Sequence, residues 1–416
     1  MTTWPKSRWP RLLPSIEVAL VPLRNLSGDA NQQHLLDAFT DDLVTDFVQD
    51  GCGLSLKRIT HERAQLHNPA ATAEPEIEYL IIGTLQRNTS GTLRMDLQIR
   101  DAAGIGRGWA GQYEFSPEEL KSIQVKITRR ISRELHLLVL QQASRRAVGT
   151  FDREFGVDEC LSRAMDAMNG SITPELTAEA QNWIFVALAT DARNAEALTG
   201  LALTCQHLVS NPWWSDQYAV PALSDLGRRA AAIALDLAPE NATAKCIQGM
   251  LLSAAGRLEE ADQAEEQALA TDPELGIARA FLGYNAAFLG HAEQTLPAVE
   301  RAMRLDQTDR RYSISFFFCG FAELLLGRPE AAIGFLQKSL ERNPGYGSAQ
   351  LLMIAALLQL GRNRDATCAV TEFREQFPAA RTSDFEQLWV ARSTNPVYRA
   401  QANPIFARMR SLGIGG

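Results

Sequence analysis

Between Ile16 and Leu140, apolar and polar positions alternate in a way that predicts five strands and two helices. Short apolar runs bounded by turn residues predict strands at residues 16–22, 54–59, 79–85, 93–99 and 108–115. Apolar residues at helical spacing predict one helix at 33–48. They predict a second helix that begins at Ser116 and Pro117 and presents Ile123, Ile127 and Ile131 on one face. The order β-α-β-β-β-β-α predicts a small α/β domain at 16–140.

The rest of the sequence is periodic. Four glycines follow apolar helical stretches at nearly equal spacing: Gly256, Gly290, Gly327 and Gly361. Four prolines keep the same phase, with Gln307 where a fifth would be: Pro239, Pro273, Pro344 and Pro378. A unit of about 34 residues with a turn in its middle and a proline at its end is the tetratricopeptide (TPR) pattern of two antiparallel helices.

Small residues fall where the paired helices of such a unit cross, at Gly249, Gly283 and Gly320. The fourth unit is weaker, because Ile354 takes this place. Two looser hairpins at residues 157–190 and 194–238 precede the four units. The sequence therefore predicts a mainly α fold, a TPR α-solenoid of about six helical hairpins that follows the small α/β domain.

These patterns divide the chain into five predicted segments. They are a disordered N-terminus (1–15), the α/β domain (16–140), a polar, arginine-rich linker (141–155), the repeat array (156–395) and a capping helix with a tail (396–416). Because the linker joins two different architectures, we expect the two parts to fold as separate domains.

Two runs in the first part resemble a known domain family. They read VALVPLRNLSGDANQQHLLDAFTDDLVTDF and EYLIIGTLQRNTSGTLRMDLQIRDAAGIGRGWAGQYEF, and both are similar to the TolB-N-terminal-like domain of bacterial TPR regulators. The resemblance runs from Ile16 to near Leu412 and includes the insertion NPWWSD. It implies a regulator whose effector is a class III adenylate cyclase domain or a winged-helix DNA-binding domain. The segment before Ile16 is too short to fold, so we expect this effector domain to be absent.

Charge and cysteine content narrow the class of protein further. Residues 1–150 are balanced, with 18 basic and 17 acidic side chains, whereas the rest has 23 basic and 32 acidic side chains. This acidity argues against broad nucleic-acid binding by the array. No apolar run is long enough for a membrane helix and no signal peptide is recognisable, so we expect a cytoplasmic protein without membrane contact. Six widely scattered cysteines predict buried free thiols.

No pattern typical of catalysis, cofactor binding or metal binding is found, so the sequence predicts a non-enzyme with no cofactor and no metal site. One basic stripe, Lys126, Arg129, Arg130 and Arg133, lies on one face of the second predicted helix. A solvated helix face is the favoured interpretation. Contact with an acidic partner, with the acidic array or with nucleic acid is the alternative.

The inner face of the array is the best candidate site. In a TPR unit this face takes the second, fifth, ninth and twelfth places of the first helix, and here those places and one neighbour are apolar and often aromatic. The predicted groove residues are Met250, Tyr284, Phe288, Phe317, Phe321, Leu324 and Leu351. Two interpretations stay open, since such rings either bind a partner or pack into neighbouring helices as core.

The sequence favours a scaffold or regulatory protein that binds a protein or peptide partner in the TPR groove. One alternative is the regulatory portion of a nucleotide cyclase system that acts on a separately encoded catalytic domain. Another is a transcription regulator that lacks its DNA-binding domain. No oligomeric state is predicted.

Overall fold

The computed structural model separates the chain into two compact units, Met1–Gly149 and Thr150–Gly416. The residues that it describes are 16–49, 54–59, 77–89, 91–102, 108–148, 155–168, 173–214, 220–305, 312–378, 380 and 386–410. The predicted disordered N-terminus at 1–15 and the tail after residue 410 lie outside the described residues.

The first unit is a mixed sheet with two long helices. Its strands are β1 (Ile16–Leu20), β2 (Arg24–Asn25), β3 (Leu54–Arg58), β4 (Ile77–Arg87), β5 (Leu93–Asp101) and β6 (Trp109–Phe115), and its helices are α1 (Asn31–Gln49) and α2 (Leu120–Val148). The strand order is β3-β1-β4-β5-β6, with β1 parallel to both of its neighbours and the last three strands antiparallel. All five predicted strands and both predicted helices are confirmed, and among the described residues the two-residue β2 was missed.

The core of the first unit lies between one face of the sheet and the two helices. Residues of β5 alternate, so that Leu93, Met95, Leu97 and Ile99 are buried with at most 1% exposure. They meet an apolar stripe on each helix, and these stripes comprise Leu36, Phe39 and Leu43 of α1 and Ile127, Ile131, Leu135 and Val139 of α2. The alternating pattern of the strand and the helical pattern thus face each other across one layer.

Helix α2 extends further than the sequence predicts. Residue 140 is the predicted end of the α/β domain, and α2 continues past it to Val148 and buries Ser144 completely. The arginine-rich composition after residue 140 suggested a linker, yet arginine is a good helix former and the long helix tolerates it. The break between the two units falls after Gly149, inside the predicted 141–155 linker. The assignment of separate domains stays a prediction.

In the described residues, the second unit forms six antiparallel helical hairpins. They pair α3 (Val157–Met168) with α4 (Pro174–Thr190), α5 (Ala195–Ser210) with α6 (Val220–Leu237), α7 (Ala242–Ala254) with α8 (Leu258–Thr271), α9 (Gly276–Phe288) with α10 (Thr295–Leu305), α11 (Tyr312–Leu325) with α12 (Pro329–Arg342), and α13 (Gly347–Gln359) with α14 (Asn363–Gln376). The predicted mainly α fold with about six TPR-type hairpins is confirmed. A π-helical turn (Glu386–Val390) and helix α15 (Pro396–Arg410) follow.

The periodic glycines make the turns inside the last four hairpins. Gly256, Gly290, Gly327 and Gly361 all have positive φ, between 71° and 89°. In each turn the residue after the glycine donates its N–H to the carbonyl five residues earlier, as Arg257 does to Leu252 at 3.0 Å. This arrangement satisfies the free carbonyls at the end of the first helix, and glycine is favoured because it adopts positive φ without strain.

Close helix crossing explains the small residues. A Cβ added at Gly249 would lie 2.6 Å from Oε1 of Glu265, and one at Gly320 would lie 2.6 Å from Cγ of Leu336. The helices of these hairpins therefore approach closely enough to exclude a side chain at this place. No helix in the described ranges combines the length and the hydrophobicity that a transmembrane span requires.

Candidate protein-binding groove

The first helices of hairpins four and five, α9 and α11, carry a continuous layer of aromatic rings. Tyr284 of α9 stacks on Phe318 of α11 with centroids 4.1 Å apart, and Phe288 lies 5.2 Å from Phe321. Phe317 reaches Tyr346, next to the start of α13, at 5.1 Å. We call the layer formed by Tyr284, Phe288, Phe317 and Phe321 the aromatic surface.

The chain's own C-terminal segment, residues 386–410, lies against the aromatic surface. The Trp389 ring stacks on Phe321 with centroids 6.3 Å apart, and on Phe406 of α15 at 5.7 Å. The Tyr398 ring lies 5.0 Å from Phe288. Its hydroxyl donates to the Trp389 carbonyl at 2.6 Å, so the two rings of the segment are fixed to each other. Trp389 and Tyr398 are at most 1% exposed.

Arg392 joins the segment to the aromatic surface by its charge. Its Nη1 donates to the Tyr284 hydroxyl at 3.2 Å, and its Cζ lies 5.6 Å and 5.0 Å from the ring centres of Tyr284 and Phe288. The side chain is only 7% exposed and its Nε has no hydrogen-bond partner. Within the described part of the chain, Arg392 forms no ion pair. The guanidinium is therefore held by rings and one hydroxyl.

Three tyrosines lie within electrostatic range of this guanidinium. Burial raises the pKa of Tyr284, of Tyr346 and of Tyr398, and the nearby charge of Arg392 partly opposes that rise in each case. All three phenols are therefore neutral at physiological pH. Neutral phenol rings present electron-rich faces to a cation and keep their hydroxyls for hydrogen bonds.

Polar contacts fasten the segment to the end of helix α9. The Ser393 hydroxyl donates to the Phe288 carbonyl at 2.6 Å, and the Asn395 amide donates to the Leu289 carbonyl at 2.8 Å. Carbonyls at a helix C-terminus lack helical partners, and the segment provides donors for two of them. Asn395 Oδ1 also accepts from the N–H groups of Val397 and Tyr398, so the same residue caps α15.

Two of the periodic glycines also contact the segment. A Cβ added at Gly256 would lie 2.9 Å from the Arg392 carbonyl oxygen, and one at Gly290 would lie 2.7 Å from Asn395 Oδ1. Gly327 has nothing within 4 Å of such a Cβ. The turn conformation accounts for all four periodic glycines, whereas the close approach of the C-terminal segment adds a second reason at two of them.

The predicted groove residues are interior residues in this structure. Their exposed fractions are at most 6%: Met250 6%, Tyr284 5%, Phe288 0%, Phe317 3%, Phe321 1%, Leu324 1% and Leu351 0%. Neighbouring first helices and the C-terminal segment cover the rings, which favours the second of the two interpretations, packing as core. That these residues bind a partner protein stays a prediction. Sequence reasoning missed Trp389, Arg392 and Tyr398 as contacts of the aromatic surface. It did place a helix in the predicted segment 396–416, where α15 begins at Pro396.

A buried carboxyl lies in the array away from the aromatic surface. Glu265 is fully buried on α8, and neither of its oxygens makes a conventional hydrogen bond. Burial raises the pKa of Glu265 well above its ordinary value, and the nearby charge of Asp262 raises it further. The weakly polar thiol of Cys246 acts in the opposite direction, because it favours the charged carboxylate. At the same place in the other three periodic units stand Val299, Leu336 and Val370.

Other candidate groups have ordinary surroundings. Within the basic stripe, Lys126, Arg129 and Arg130 are exposed, as in a solvated helix face, whereas Arg133 is partly buried; Arg130 and Arg133 approach the buried Glu134 at 3.0 Å and 3.5 Å. Among the six cysteines, the structure describes five as free thiols: Cys160, Cys205, Cys246 and Cys319 are buried, and Cys368 is exposed. In the described ranges, no group of three or more His, Cys, Asp or Glu side chains is placed to hold a metal ion.

Comparison with known proteins gives one distant relative by sequence. No protein-family model matches the chain. Over 150 residues the chain is 26% identical to a Rhizobium meliloti (strain 1021) protein provisionally named adenylate cyclase 3, a match that spans 35% of this chain and 25% of that relative. The chain therefore matches about a quarter of the relative's length. The resemblance of the first unit to the TolB-N-terminal-like domain stays a prediction.

Solved structures with similar folds include several TPR proteins. A thermophilic TPR protein of Thermus thermophilus, TTC0263, is 18% identical with a TM-score of 0.38, over 49% of this chain and 99% of that one. YrrB, a TPR protein with an unusual peptide-binding site, is 19% identical with a TM-score of 0.28, over 47% and 92%. The human IFIT1 dimer with m7Gppp-AAAA is 13% identical with a TM-score of 0.46, over 72% and 71%. With TM-scores below 0.5, these similarities carry no weight, and the fold assignment rests on the hairpins themselves.

Proposed function

We propose that this chain is a non-catalytic scaffold or regulatory protein that binds a polypeptide segment of a partner protein on the aromatic surface of its TPR array. One observation supports this most directly: the aromatic surface already contacts a polypeptide segment, the chain's own residues 386–410. The contacts use ring packing, one guanidinium group and backbone carbonyls at the end of α9. All of these are contacts that another polypeptide of similar chemistry can make.

In this proposal the C-terminal segment is an internal competitor for the partner. A tethered segment has an effective concentration on the order of millimolar, so a partner gains access only by binding tightly or when the segment is released. The proposal therefore makes occupancy of the aromatic surface, rather than catalysis, the regulated property. It includes no cofactor, no metal and no nucleic-acid partner. It places the protein in the cytoplasm, and the free thiols support this location.

An exchange experiment tests the proposal. A protease site is inserted between Ala380 and Glu386, and the folded full chain is then cut at this site. A labelled synthetic peptide of residues 386–410 is added, and its fluorescence anisotropy is followed for several days. We expect the peptide to exchange with the cut segment and to be displaced by unlabelled peptide, but to bind the uncut chain far more weakly.

Two controls make the outcome decisive. A scrambled peptide of the same composition should not bind, and circular dichroism should show that the cut protein keeps its helical content. If the labelled peptide never enters while the protein stays folded, then the segment is a fixed part of the array. The aromatic surface is then not a partner site, and the proposal is wrong.

A second candidate function has one observation in its favour, the distant relative named as an adenylate cyclase. In this alternative, the chain regulates a cyclase catalytic domain encoded elsewhere. Purified chain would be added to such a domain from the same genome, and the rate of cyclic AMP formation measured. An unchanged rate at micromolar chain contradicts the alternative. Cyclic AMP formed from ATP by the chain alone contradicts the non-catalytic proposal itself.

A further inference from the structure

We propose that the faces of Tyr284 and Phe288 form a subsite for a guanidinium group, so that the partner segment carries an arginine at the place that Arg392 occupies here. This inference rests on the function proposed above and specifies the chemistry of the partner. The partner is a polypeptide whose arginine enters the aromatic surface between flanking aromatic residues.

The surroundings of Arg392 are the first argument. A charged side chain that loses its water normally gains an acidic partner, because desolvation of a charge is costly. Arg392 is 7% exposed, yet in the described part of the chain it pairs with no carboxylate. Its charge instead faces two ring centres at 5.0 Å and 5.6 Å, within the range of cation–π attraction. The subsite thus recognises a cation without an acidic residue.

The shape of the contact favours guanidinium over ammonium. A guanidinium is planar and weakly hydrated, so it can lie over a ring while its edge donates a hydrogen bond. Arg392 does both, since Nη1 donates to the Tyr284 hydroxyl at 3.2 Å. An ammonium group is compact and strongly hydrated, and it loses more water on entering such a site. We therefore expect arginine to be preferred to lysine.

The charge of the array supports a basic partner. Beyond residue 150 the chain has 23 basic and 32 acidic residues, so its field attracts cationic segments. Arg392 is followed by Ser393 and Asn395, whose side chains bind the free carbonyls at the end of α9. An arginine followed by small hydrogen-bond donors, between two aromatic residues, is therefore the pattern expected in the partner.

Variant peptides test the subsite without disturbing the fold of the array. The cut full chain described above is mixed with labelled peptides of residues 386–410 that carry Arg392→Met, Arg392→Lys or no change. We expect Arg392→Met to weaken binding about tenfold or more and Arg392→Lys to have an intermediate effect. Arg410→Met is the matched control, because Arg410 is exposed near the end of the same segment, and it should change affinity less than about twofold.

A variant of the array tests whether the arginine binds at the Tyr284 hydroxyl. Tyr284→Phe keeps the ring and removes the hydroxyl that accepts from Arg392. We expect the preference for arginine over methionine to fall in this variant but not to vanish, because the ring faces remain. An unchanged preference would show that the Tyr284 hydroxyl does not accept from the arginine in the complex, and the hydrogen-bonded subsite would be wrong.

The outcomes separate the two proposals. If the unchanged peptide exchanges and Arg392→Met binds equally well, then groove binding stands and the guanidinium subsite is wrong. If the unchanged peptide never exchanges, then the proposed function fails and this inference fails with it. If the order of affinity is arginine, lysine, methionine, both proposals are supported.

Discussion

Arg392 donates a hydrogen bond of 3.2 Å to the hydroxyl of Tyr284, a residue 108 positions earlier in the chain. The contact joins the C-terminal segment to helix α9. Because it is a charged donor in a buried place, the loss of its acceptor leaves a desolvated donor behind. The pair is therefore a sensitive measure of how firmly the segment is bound.

Removal of the acceptor should destabilise the array in a way that depends on the arginine. We expect Tyr284→Phe to lower the free energy of unfolding by about 1–3 kcal/mol in urea. In an Arg392→Met background the same change should cost little, because no charged donor remains to lose its partner. Equal costs in both backgrounds would show that the hydrogen bond contributes nothing of its own.

Phe321 should behave as a core residue. The sequence leaves open whether this ring binds a partner or packs as core, whereas in the structure it is 1% exposed and packs against Phe288 and Trp389. We expect Phe321→Ala to cost about 3–5 kcal/mol of stability and to lower the melting temperature clearly. Val397→Ala is the control, because Val397 is 49% exposed on the C-terminal segment that covers Phe321. If the melting temperature of Phe321→Ala falls no more than that of the control, then the ring is not part of the core and the groove is open in solution.

The comparison of predicted and observed elements shows which parts of the molecule depend on local sequence. Strands such as β5 are visible because their core side chains alternate, and the hairpin turns are visible because Gly256 and its equivalents need positive φ. The cover of the aromatic surface depends on contacts between residues far apart in the chain, such as Arg392 and Tyr284, and no local pattern encodes them. Glu265 was detectable, because the repeat register places it among Val299, Leu336 and Val370.

The periodic glycines offer a matched test of the segment's contact. Gly327→Ala should cost about 1–2 kcal/mol from the positive φ alone, since nothing lies within 4 Å of the added Cβ. Gly256→Ala meets the Arg392 carbonyl oxygen at 2.9 Å as well. We expect it to cost at least about 1 kcal/mol more in urea unfolding, and to speed the release of the segment after the cut near Ala380. Equal costs at the two glycines would indicate that the segment does not lie against the α7–α8 turn in solution.

Glu265 should make the array less stable as pH rises. Burial raises its pKa in the folded state above the ordinary value of 4.5, so the folded protein keeps the proton at pH values where the unfolded chain has released it. Stability is therefore highest below pH 4.5 for this group and falls as pH rises towards its folded pKa. The pKa of neighbouring Asp262 is also raised by burial, and it contributes a trend in the same direction.

Replacement of this carboxyl should stabilise the protein. We expect Glu265→Leu to raise the free energy of unfolding at neutral pH by roughly 1–3 kcal/mol, because a leucine occupies the same place in the α11–α12 hairpin and needs no hydrogen bond. The gain should shrink as pH is lowered to about 4, where the carboxyl is mostly neutral in both states. Glu266→Leu is the control, since Glu266 is exposed on the same helix and should leave both the stability and its pH dependence nearly unchanged. A loss of stability in Glu265→Leu would mean that the buried carboxyl has a polar partner on which the junction of α7, α8 and α9 depends.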